Sequence, residues 1–242
     1  MRYLVLTDIH GNLAALQSVL ASAPAFDGIW CLGDLVGYGP NPNEVIERLQ
    51  EFPLVSVLGN HDWGVLGRVD PHIFNPDARH AMLWARGELE AENRRFLTSL
   101  PAGIEVEGYA LVHASLREPI WEYLLDAESA RKNFAFHDFQ TAFVGHTHIP
   151  LIFEMDATSK NVHALMPDWH EPLQLDGRRL IINPGSVGQP RDGDPRAAYG
   201  MLDTEARTFS FHRVAYAIEI TQERMRARGL PERLIDRLEL GR

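Results

Sequence analysis

Three short apolar segments near the start of the chain constrain its fold most. They comprise residues 2–7, 28–32 and 54–58, and each ends at polar residues, as expected of buried strands. Asn12 and Asn41-Pro42, which lie between these segments, are typical of helix N-termini. Strands and helices that alternate this closely predict an α/β fold with parallel pairing of the first strands.

The remaining sequence predicts a helical segment, a region richer in strands and a helical C-terminal part. Residues 63–100 show helical spacing of apolar residues and no strand pattern, and residues 217–240 predict one or two helices. Short apolar runs between these parts predict a helix at residues 126–136 and strands at residues 104–106, 109–112, 141–144, 151–154, 162–165, 180–182, 198–202 and 208–214. No internal repeat and no linker marks a domain boundary.

The composition, with 45% hydrophobic and 23% charged residues, is typical of a soluble globular protein. The 33 acidic and 23 basic residues give a net charge of −10, which argues against a general nucleic-acid binder. Cys31 is the one cysteine, so no intrachain disulfide can form. The N-terminal residues lack signal-peptide character, and no apolar run is long enough for a membrane span. We therefore expect a cytoplasmic location.

Residue types that bind metals follow five of the predicted strands. Eight such residues stand at the strand ends in chain order: Asp8, His10, Asp34, Asn60, His61, His113, His146 and His148. Singly, each is more typical of a turn, a cap or a hydrogen-bonded surface residue. Together they are poorly explained by chance, because ligands of open α/β sheets gather at the carboxyl ends of the strands. The pattern predicts one polar site at this edge.

The ligand types indicate the class of metal. Imidazole, carboxylate and amide groups without a thiolate favour Mn, Fe, Co, Ni or Zn over Ca²⁺ or a structural cysteine zinc site. The set exceeds the needs of one ion with about four to six ligands, so two ions are expected. Two metals about 3.5–4 Å apart support in-line displacement at phosphorus.

The order of these residues resembles the signature motifs of the calcineurin-like metallophosphoesterases. The motifs here are Asp8-x-His10, Gly33-Asp34, Gly59-Asn60-His61-Asp62, His113 and Gly145-His146-x-His148. The segments GDLVGYGPNP, FNPDAR and NPGSVGQPRDGDPRAAY are further similar to a small bacterial and archaeal branch that includes the YfcE-like and MJ0912-like phosphoesterases. The resemblance implies a single domain over residues 1–242, with residues 63–100 as a helical insert. Its implied α/β architecture has two mixed β-sheets packed as a sandwich and flanked by helices, in four layers.

The resemblance also implies a role for each motif residue. Each of two divalent ions has three ligands of its own, namely Asp8, His10 and His148 for the first and Asn60, His113 and His146 for the second. Asp34 bridges the two ions, and His61 assists the leaving group. The implied reaction is hydrolysis of a phosphodiester or a small phosphomonoester by a hydroxide that bridges the metals. Manganese is the expected metal, with Fe, Ni, Zn or Co as alternatives.

Two positions depart from the Ser/Thr protein phosphatase branch of this family. Where that branch has an aspartate that orients the catalytic histidine and an arginine that binds phosphate, this chain has Gly37 and Tyr38. The residue that orients His61 is therefore not identified. Asp62 is a candidate, although the side chains of adjacent residues usually diverge.

Four residues are weaker candidates for substrate binding. Arg191 lies in a glycine- and proline-rich stretch that can bring its guanidinium to a phosphate oxygen, although this stretch can equally be a structural turn. Tyr38 follows the second motif. Asn75 and Arg79 belong to the helical insert, which either overhangs the site or packs on the edge of a sheet.

Two other functions stay open at this point. A noncatalytic metal-binding scaffold of the same fold would be expected to lack some ligands, whereas this set is complete. A nuclease of the same superfamily would need a basic track, and a chain with two lysines and a net charge of −10 offers no obvious one. We expect a small phosphate-ester substrate, no membrane partner and no strong nucleic-acid binding, and the oligomeric state stays open.

Overall fold

The backbone alternates between strand and helix at first and is richer in strands later. A computed structural model describes all residues from 1 to 242. Its strands are β1 (Arg2–Leu6), β2 (Gly28–Cys31), β3 (Leu54–Ser56), β4 (Gly103–Val106), β5 (Tyr109–Val112), β6 (Thr141–Phe143), β7 (Leu151–Met155), β8 (Val162–Leu165), β9 (Leu173–Gln174), β10 (Arg179–Asn183), β11 (Ala197–Asp203) and β12 (Thr208–Val214). Its α-helices are α1 (Leu13–Ser22), α2 (Pro42–Gln50), α3 (Asn60–Val65), α4 (Pro76–Glu88), α5 (Ala91–Ser99), α6 (Ala127–Phe136), α7 (Ile218–Ala227) and α8 (Glu232–Leu240), and a 3-10 turn at Pro71–Ile73 precedes α4.

The strands form two mixed sheets of six strands each. The first sheet has the order β3-β2-β1-β11-β12-β9, and the second has the order β4-β5-β6-β10-β7-β8. Pairing is parallel among β1, β2 and β3 and among β5, β6 and β10, and antiparallel elsewhere. The predicted pair of mixed sheets is confirmed. Sequence reasoning missed β9, because two residues are too few to show a periodic pattern.

Three apolar clusters explain the stacking of helices and sheets. Val5 and Phe143 belong to the cluster that fills the space between the sheets. Leu4 and Leu6 point to the opposite face of the first sheet, since successive strand side chains alternate, and pack there with α1, α2, α4, α7 and α8. Phe134 of α6 packs on the outer face of the second sheet. Both faces of each sheet are covered, which explains why the central strands are apolar on both sides.

The helix N-termini are held in different ways. The side chains of Asn12 and Asn75 each accept a hydrogen bond from the backbone N–H three residues further on, at 3.2 and 3.0 Å. Asn41 precedes α2 as predicted, but its side chain donates to Glu44 (2.9 Å) and does not cap the helix, which begins with Pro42. None of the helices combines the length and the apolar character that crossing a bilayer requires.

The C-terminal helix α8 is amphipathic and packs against the layer outside the first sheet. Leu234, Ile235 and Leu238 are buried in the same cluster as α1 and α2. A backbone hydrogen bond from Gly193 N to Gly241 O (2.9 Å) joins the end of α8 to the loop that follows β10. This loop and α8 therefore lie side by side, close to the strand ends that carry the predicted site.

Candidate metal centre

The predicted ligands lie beyond the carboxyl ends of β1, β2, β3, β5 and β6, on loops except for Asn60, which is the first residue of α3. Eight non-glycine residues of the chain have a positive φ, and five of them are predicted ligands: Asp8 (52°), His10 (51°), Asp34 (54°), His146 (66°) and His148 (59°). L-residues adopt this left-handed region at a cost of roughly 1–3 kcal/mol each, and such strain persists only where the surrounding structure enforces it. The concentration of strained backbone at these positions is typical of a functional site.

The first group of ligand atoms comes from four residues. One ligand atom each of Asp8, His10, Asp34 and His148 lies within 4.8 Å of all the others, and all four side chains are buried. The Nε2 atoms of His10 and His148 are 3.2 Å apart. Asp8 Oδ1 lies 3.3 Å from His148 Nε2. This group contains the three residues predicted for the first ion together with the predicted bridge.

The second group of ligand atoms shares Asp34 with the first. Asp34, His113 and His146 also offer ligand atoms within 4.8 Å of one another. His113 Nε2 lies 3.2 Å from His146 Nδ1 and 3.1 Å from Asn60 Oδ1. Asp34 Oδ2 is 3.5 Å from His10 Nε2 and 3.4 Å from His113 Nε2, so one carboxylate oxygen lies between the two groups. We refer to the two groups with Asn60 as the metal centre.

Both ligand carboxylates of the centre keep one oxygen free. Asp8 Oδ2 accepts hydrogen bonds from Thr7 Oγ1 (2.8 Å) and His146 N (3.0 Å), and Asp34 Oδ1 accepts from His61 N (2.8 Å). The other oxygens, Asp8 Oδ1 and Asp34 Oδ2, are buried without a hydrogen-bond partner. Buried polar atoms are rarely left unpaired, so two such oxygens facing a group of imidazoles fit a cation.

Three imidazoles are held so that Nε2 faces the centre. Nδ1 of His10, His113 and His148 contacts a backbone carbonyl oxygen, at 3.3, 2.9 and 2.6 Å respectively. An Nδ1–H that donates to a carbonyl fixes the tautomer in which Nε2 carries the lone pair. Together with the free carboxylate oxygens, this donor set fits divalent first-row metals.

Burial dominates the protonation states in the centre. It raises the pKa of Asp8 to about 7 and lowers the pKa values of His10 and His148 well below the usual range, so these imidazoles are neutral. For Asp34 and His113, mutual attraction outweighs burial, so the pKa of Asp34 is well below its usual range and that of His113 is raised to about 9. A metal ligand must be deprotonated, so metal uptake would displace the proton of His113.

A family model of the calcineurin-like phosphoesterase superfamily domain matches residues 1–207 of the chain. The chain belongs to this superfamily. It is 40% identical to the protein MJ0912 of Methanocaldococcus jannaschii over 98% of this chain and 97% of that protein. A metallophosphoesterase crystal structure from Sphaerobacter thermophilus is 46% identical, with a TM-score of 0.91 over 100% of this chain and 99% of that one. Phosphodiesterase YfcE of Escherichia coli is 24% identical over 85% of this chain and 89% of its own length.

These similarities confirm the predicted family and the predicted class of enzyme. The chain is a phosphoric ester hydrolase of a family that uses divalent metal ions. The residues that carried the resemblance are those that the fold brings into the metal centre, with His61 beside it.

His61 lies next to the centre without joining either group of ligand atoms. Its ring centroid is 4.8 Å from that of His10 and 4.3 Å from that of Tyr38, and its Nδ1 is buried without a hydrogen-bond partner. Burial lowers the pKa of His61 to about 4, so the imidazole is neutral at neutral pH. A Cβ at Gly37 would lie 2.8 Å from His61 Nδ1, so no aspartate fits there to orient the ring.

The Asp62 carboxylate does not contact the His61 ring, which it was considered to orient. The carboxylate accepts hydrogen bonds from the backbone N–H groups of Asp34 (2.8 Å), Val36 (3.1 Å) and Gly59 (2.9 Å), and not from the His61 ring. These bonds connect the loop after β2 to the loop after β3. Asp62 therefore positions the backbone that carries Asp34 and Asn60, and the His61 ring is held by packing.

The loop after β10 also supports the centre, a role that was not predicted from the sequence. Ser186 Oγ donates to the backbone oxygen of Asp8 (2.8 Å), and Asn183 Nδ2 donates to Gly145 O (2.7 Å) and Thr147 Oγ1 (2.9 Å). Asn183 and Ser186 belong to the glycine- and proline-rich stretch that carries Arg191. Their bonds fix the loops that carry the first and last motifs.

Three of the four weaker substrate-binding candidates line one cavity of about 990 Å³, namely Tyr38, Asn75 and Arg191. Arg191 Nη2 donates to Gln189 Oε1 (2.9 Å), and the guanidinium lies 5.7 Å from the centroid of the Tyr38 ring. Asn75 also caps α4. Arg79 lines a separate surface cavity, so the structure does not bring it to the others.

Sequence reasoning missed Tyr123 and the arginines of α8, which also line the 990 Å³ cavity. The ring of Tyr123 lies 4.0 Å from that of His146, and no motif marks it. Arg233 and Arg237 are four residues apart on a helix whose other face is apolar. This spacing could have shown that both lie on the polar face of α8, but not which part of the molecule they approach.

Proposed function

We propose that the chain is a dinuclear phosphoesterase that hydrolyses a phosphodiester or a small phosphomonoester. The observation that carries the proposal is the position of Asp34 Oδ2. This buried oxygen has no hydrogen-bond partner and lies within 3.5 Å of an imidazole nitrogen of each ligand group. One carboxylate that serves two groups of ligands supports the proposed pair of ions.

Under this proposal, Asp8, His10 and His148 hold one ion, Asn60, His113 and His146 hold the other, and Asp34 is shared. When bound, the ions supply positive charge at the phosphoryl oxygens and an ionised water as the nucleophile. We propose manganese as the metal, because imidazole and carboxylate donors without thiolate suit it. The centre has no backbone carbonyl cage of the kind that Ca²⁺ prefers.

His61 is proposed to act on the leaving group. Its ring is packed beside the centre and is not consumed as a ligand, which leaves it free to face the substrate. Because burial lowers the pKa of His61 to about 4, the negative charge of a bound phosphate must raise that pKa before the imidazolium can donate a proton. Arg191 and Tyr38, on the cavity wall, are proposed to contact the substrate.

A small substrate is favoured over a nucleic acid. The cavity of about 990 Å³ is of the size of a small-molecule site, and the net charge of −10 opposes a long polyanion elsewhere on the surface. YfcE, a relative over most of the chain, is named a phosphodiesterase. A buried single cysteine also fits the reducing cytosol, where we propose that the enzyme works.

The test is a metal count together with a substrate panel. Mono- and diester phosphates are assayed with Mn²⁺, Ni²⁺, Zn²⁺ and Mg²⁺, and bound metal is measured by mass spectrometry on wild-type protein and Asp34→Asn. We expect two ions per wild-type chain and a loss of turnover on the order of 10³-fold in Asp34→Asn. Fewer than two ions in the active wild type would contradict the dinuclear proposal. Steep loss of activity with salt would instead favour a nuclease.

A further inference from the structure

The cavity beside the metal centre has an unusual charge for so acidic a chain. Arg191, Arg233 and Arg237 line it, and none of the three forms a salt bridge with an aspartate or glutamate side chain, although Arg237 Nε donates to the main-chain oxygen of Arg242. Two acids also line it: Asp77 lies in the first turn of α4, where a negative charge is favourable, and Asp236 lies 3.8 Å from Arg226 of α7. The guanidinium groups of Arg191 and Arg233 therefore have no carboxylate side chain as an ion-pair partner.

The placement of these arginines is costly without a partner. Like charges four residues apart on a helix, such as Arg233 and Arg237, repel each other. Burial, with the positive charges of Arg191 and Arg233, lowers the pKa of Arg237. Nε of Arg191 is also buried without a hydrogen-bond partner. An anion in the cavity would relieve the repulsion and use the free donors.

The cavity adjoins the metal centre, with Tyr38 and Tyr123 between the two. Arg191 Nη2 lies 3.4 Å from Tyr38 Oη, and the Tyr38 ring packs on His10 (4.6 Å between centroids) as well as on His61. The ring of Tyr123, which also lines the cavity, contacts that of His146 at a tilt of 31°. A ligand whose phosphate occupies the centre would therefore extend past Tyr38 and Arg191 towards α8.

We infer that Arg233 and Arg237 form a second phosphate subsite, so that the preferred substrate is a small ester with a further phosphoryl group beyond the one hydrolysed. We call these two residues the distal subsite. The inference rests on the proposed function for the phosphate that is hydrolysed. The cavity volume of about 990 Å³ limits the ligand to about the size of a nucleotide with two phosphates.

A matched pair of chromogenic diesters tests the inference. Thymidine 5′-(4-nitrophenyl phosphate) and the same compound with a 3′-phosphate differ only in the second phosphoryl group. For the wild type loaded with Mn²⁺, we expect KM to be at least about tenfold lower for the ester with the 3′-phosphate, since charge-assisted hydrogen bonds to phosphate are strong. In the double variant Arg233→Gln/Arg237→Gln, the ratio of the two KM values should fall to about one.

The matched control is Arg224→Gln, which removes the same charge from an exposed position of α7 outside the cavity. It should keep the wild-type KM ratio, so a general effect of surface charge is distinguished from a subsite. Equal KM values for the two esters in the wild type would overturn the distal subsite while leaving the phosphoesterase proposal intact. Circular dichroism of each variant checks that it is folded.

Binding without metal separates failure of the inference from failure of the proposed function. In EDTA, calorimetry compares thymidine 3′,5′-bisphosphate with thymidine 5′-phosphate on the wild type and the double variant. Tighter binding of the bisphosphate that depends on Arg233 and Arg237 supports the subsite even if neither ester is hydrolysed. A short oligothymidylate that binds more than about tenfold tighter than the bisphosphate through the same arginines would overturn the small-ligand inference.

Discussion

The metal centre and the distal subsite hold their side chains in opposite ways. The ligands of the centre are buried, and five of them have left-handed backbone that hydrogen bonds from neighbouring loops enforce. In the distal subsite, Arg233 is exposed and Arg237 is partly buried, and apolar contacts of the other face of α8 hold the helix in place. The centre is built for fixed geometry, which chemistry requires, whereas long side chains on a helix surface suit recognition of a substrate.

The largest expected effect separates two residues that are adjacent in the sequence, Asn60 in the centre and His61 beside it. In His61→Ala we expect both ions to stay bound and kcat to fall on the order of 10³-fold, because a general acid is removed and no ligand is. In Asn60→Ala, the metal count itself should fall, since Asn60 Oδ1 lies 3.1 Å from His113 Nε2. Turnover and bound metal are measured on the same samples. Loss of metal from His61→Ala would make His61 a ligand instead.

The centre was largely predictable from the sequence because its residues follow apolar segments that are recognisable one by one. Asp8, Asp34 and His113 stand directly at or near strand ends, and parallel strands place such ends on one edge. The distal subsite was not predictable. Arg233 lies more than 40 residues beyond Arg191, and only the packing of α8 brings the two to one cavity.

Some features inside the centre were also beyond prediction, because they depend on three-dimensional contacts of common residues. The Asp62 carboxylate could be located next to His61, but its three backbone donors come from two separate loops. Ser186 and Asn183 were visible only as part of a turn-rich stretch, yet they fix the loops of Asp8 and His146. Serine and asparagine in turns can form hydrogen bonds with many backbone groups, and the sequence alone does not indicate which of these bonds form.

The next prediction compares a glycine beside the metal ligands with an exposed glycine of helix α4. A Cβ at Gly145 would overlap with Thr7 Oγ1 and lie 2.9 Å from Asp8 Oδ2, whereas a Cβ at Gly87 of α4 meets no atom within 4 Å. Gly145→Ala should destabilise the fold by about 2–3 kcal/mol and weaken metal binding. Gly87→Ala should stabilise α4 by up to about 1 kcal/mol. Denaturant unfolding measures the change in the free energy of unfolding for both variants. Equal changes would show that the backbone at Gly145 is packed no more tightly than that at Gly87.

A smaller effect is expected from Asp62→Asn. The amide has one acceptor oxygen, so it cannot accept all three backbone N–H groups that the carboxylate binds. We expect metal affinity to fall about 10–100-fold, as is typical when a residue that supports metal ligands is changed. Asp138→Asn is the control, because the Asp138 side chain is 99% exposed. Titration with Mn²⁺ measures the metal affinity of both variants. Wild-type affinity in Asp62→Asn would show that the loops after β2 and β3 keep their positions without these hydrogen bonds.

The smallest effect concerns Tyr38, where the two regions meet. Its ring packs on His61 and His10, and its hydroxyl lies 3.4 Å from Arg191. Tyr38→Phe keeps the packing and removes the polar contact, so we expect KM to rise about fivefold, equivalent to one modest hydrogen bond, with kcat unchanged. Tyr38→Ala also removes the packing that holds His61 and should lower kcat. If Tyr38→Phe lowers kcat as far as Tyr38→Ala does, the Tyr38 hydroxyl takes part in the chemistry. Tyr38 would then belong functionally with the metal centre and not with the cavity that binds the rest of the substrate.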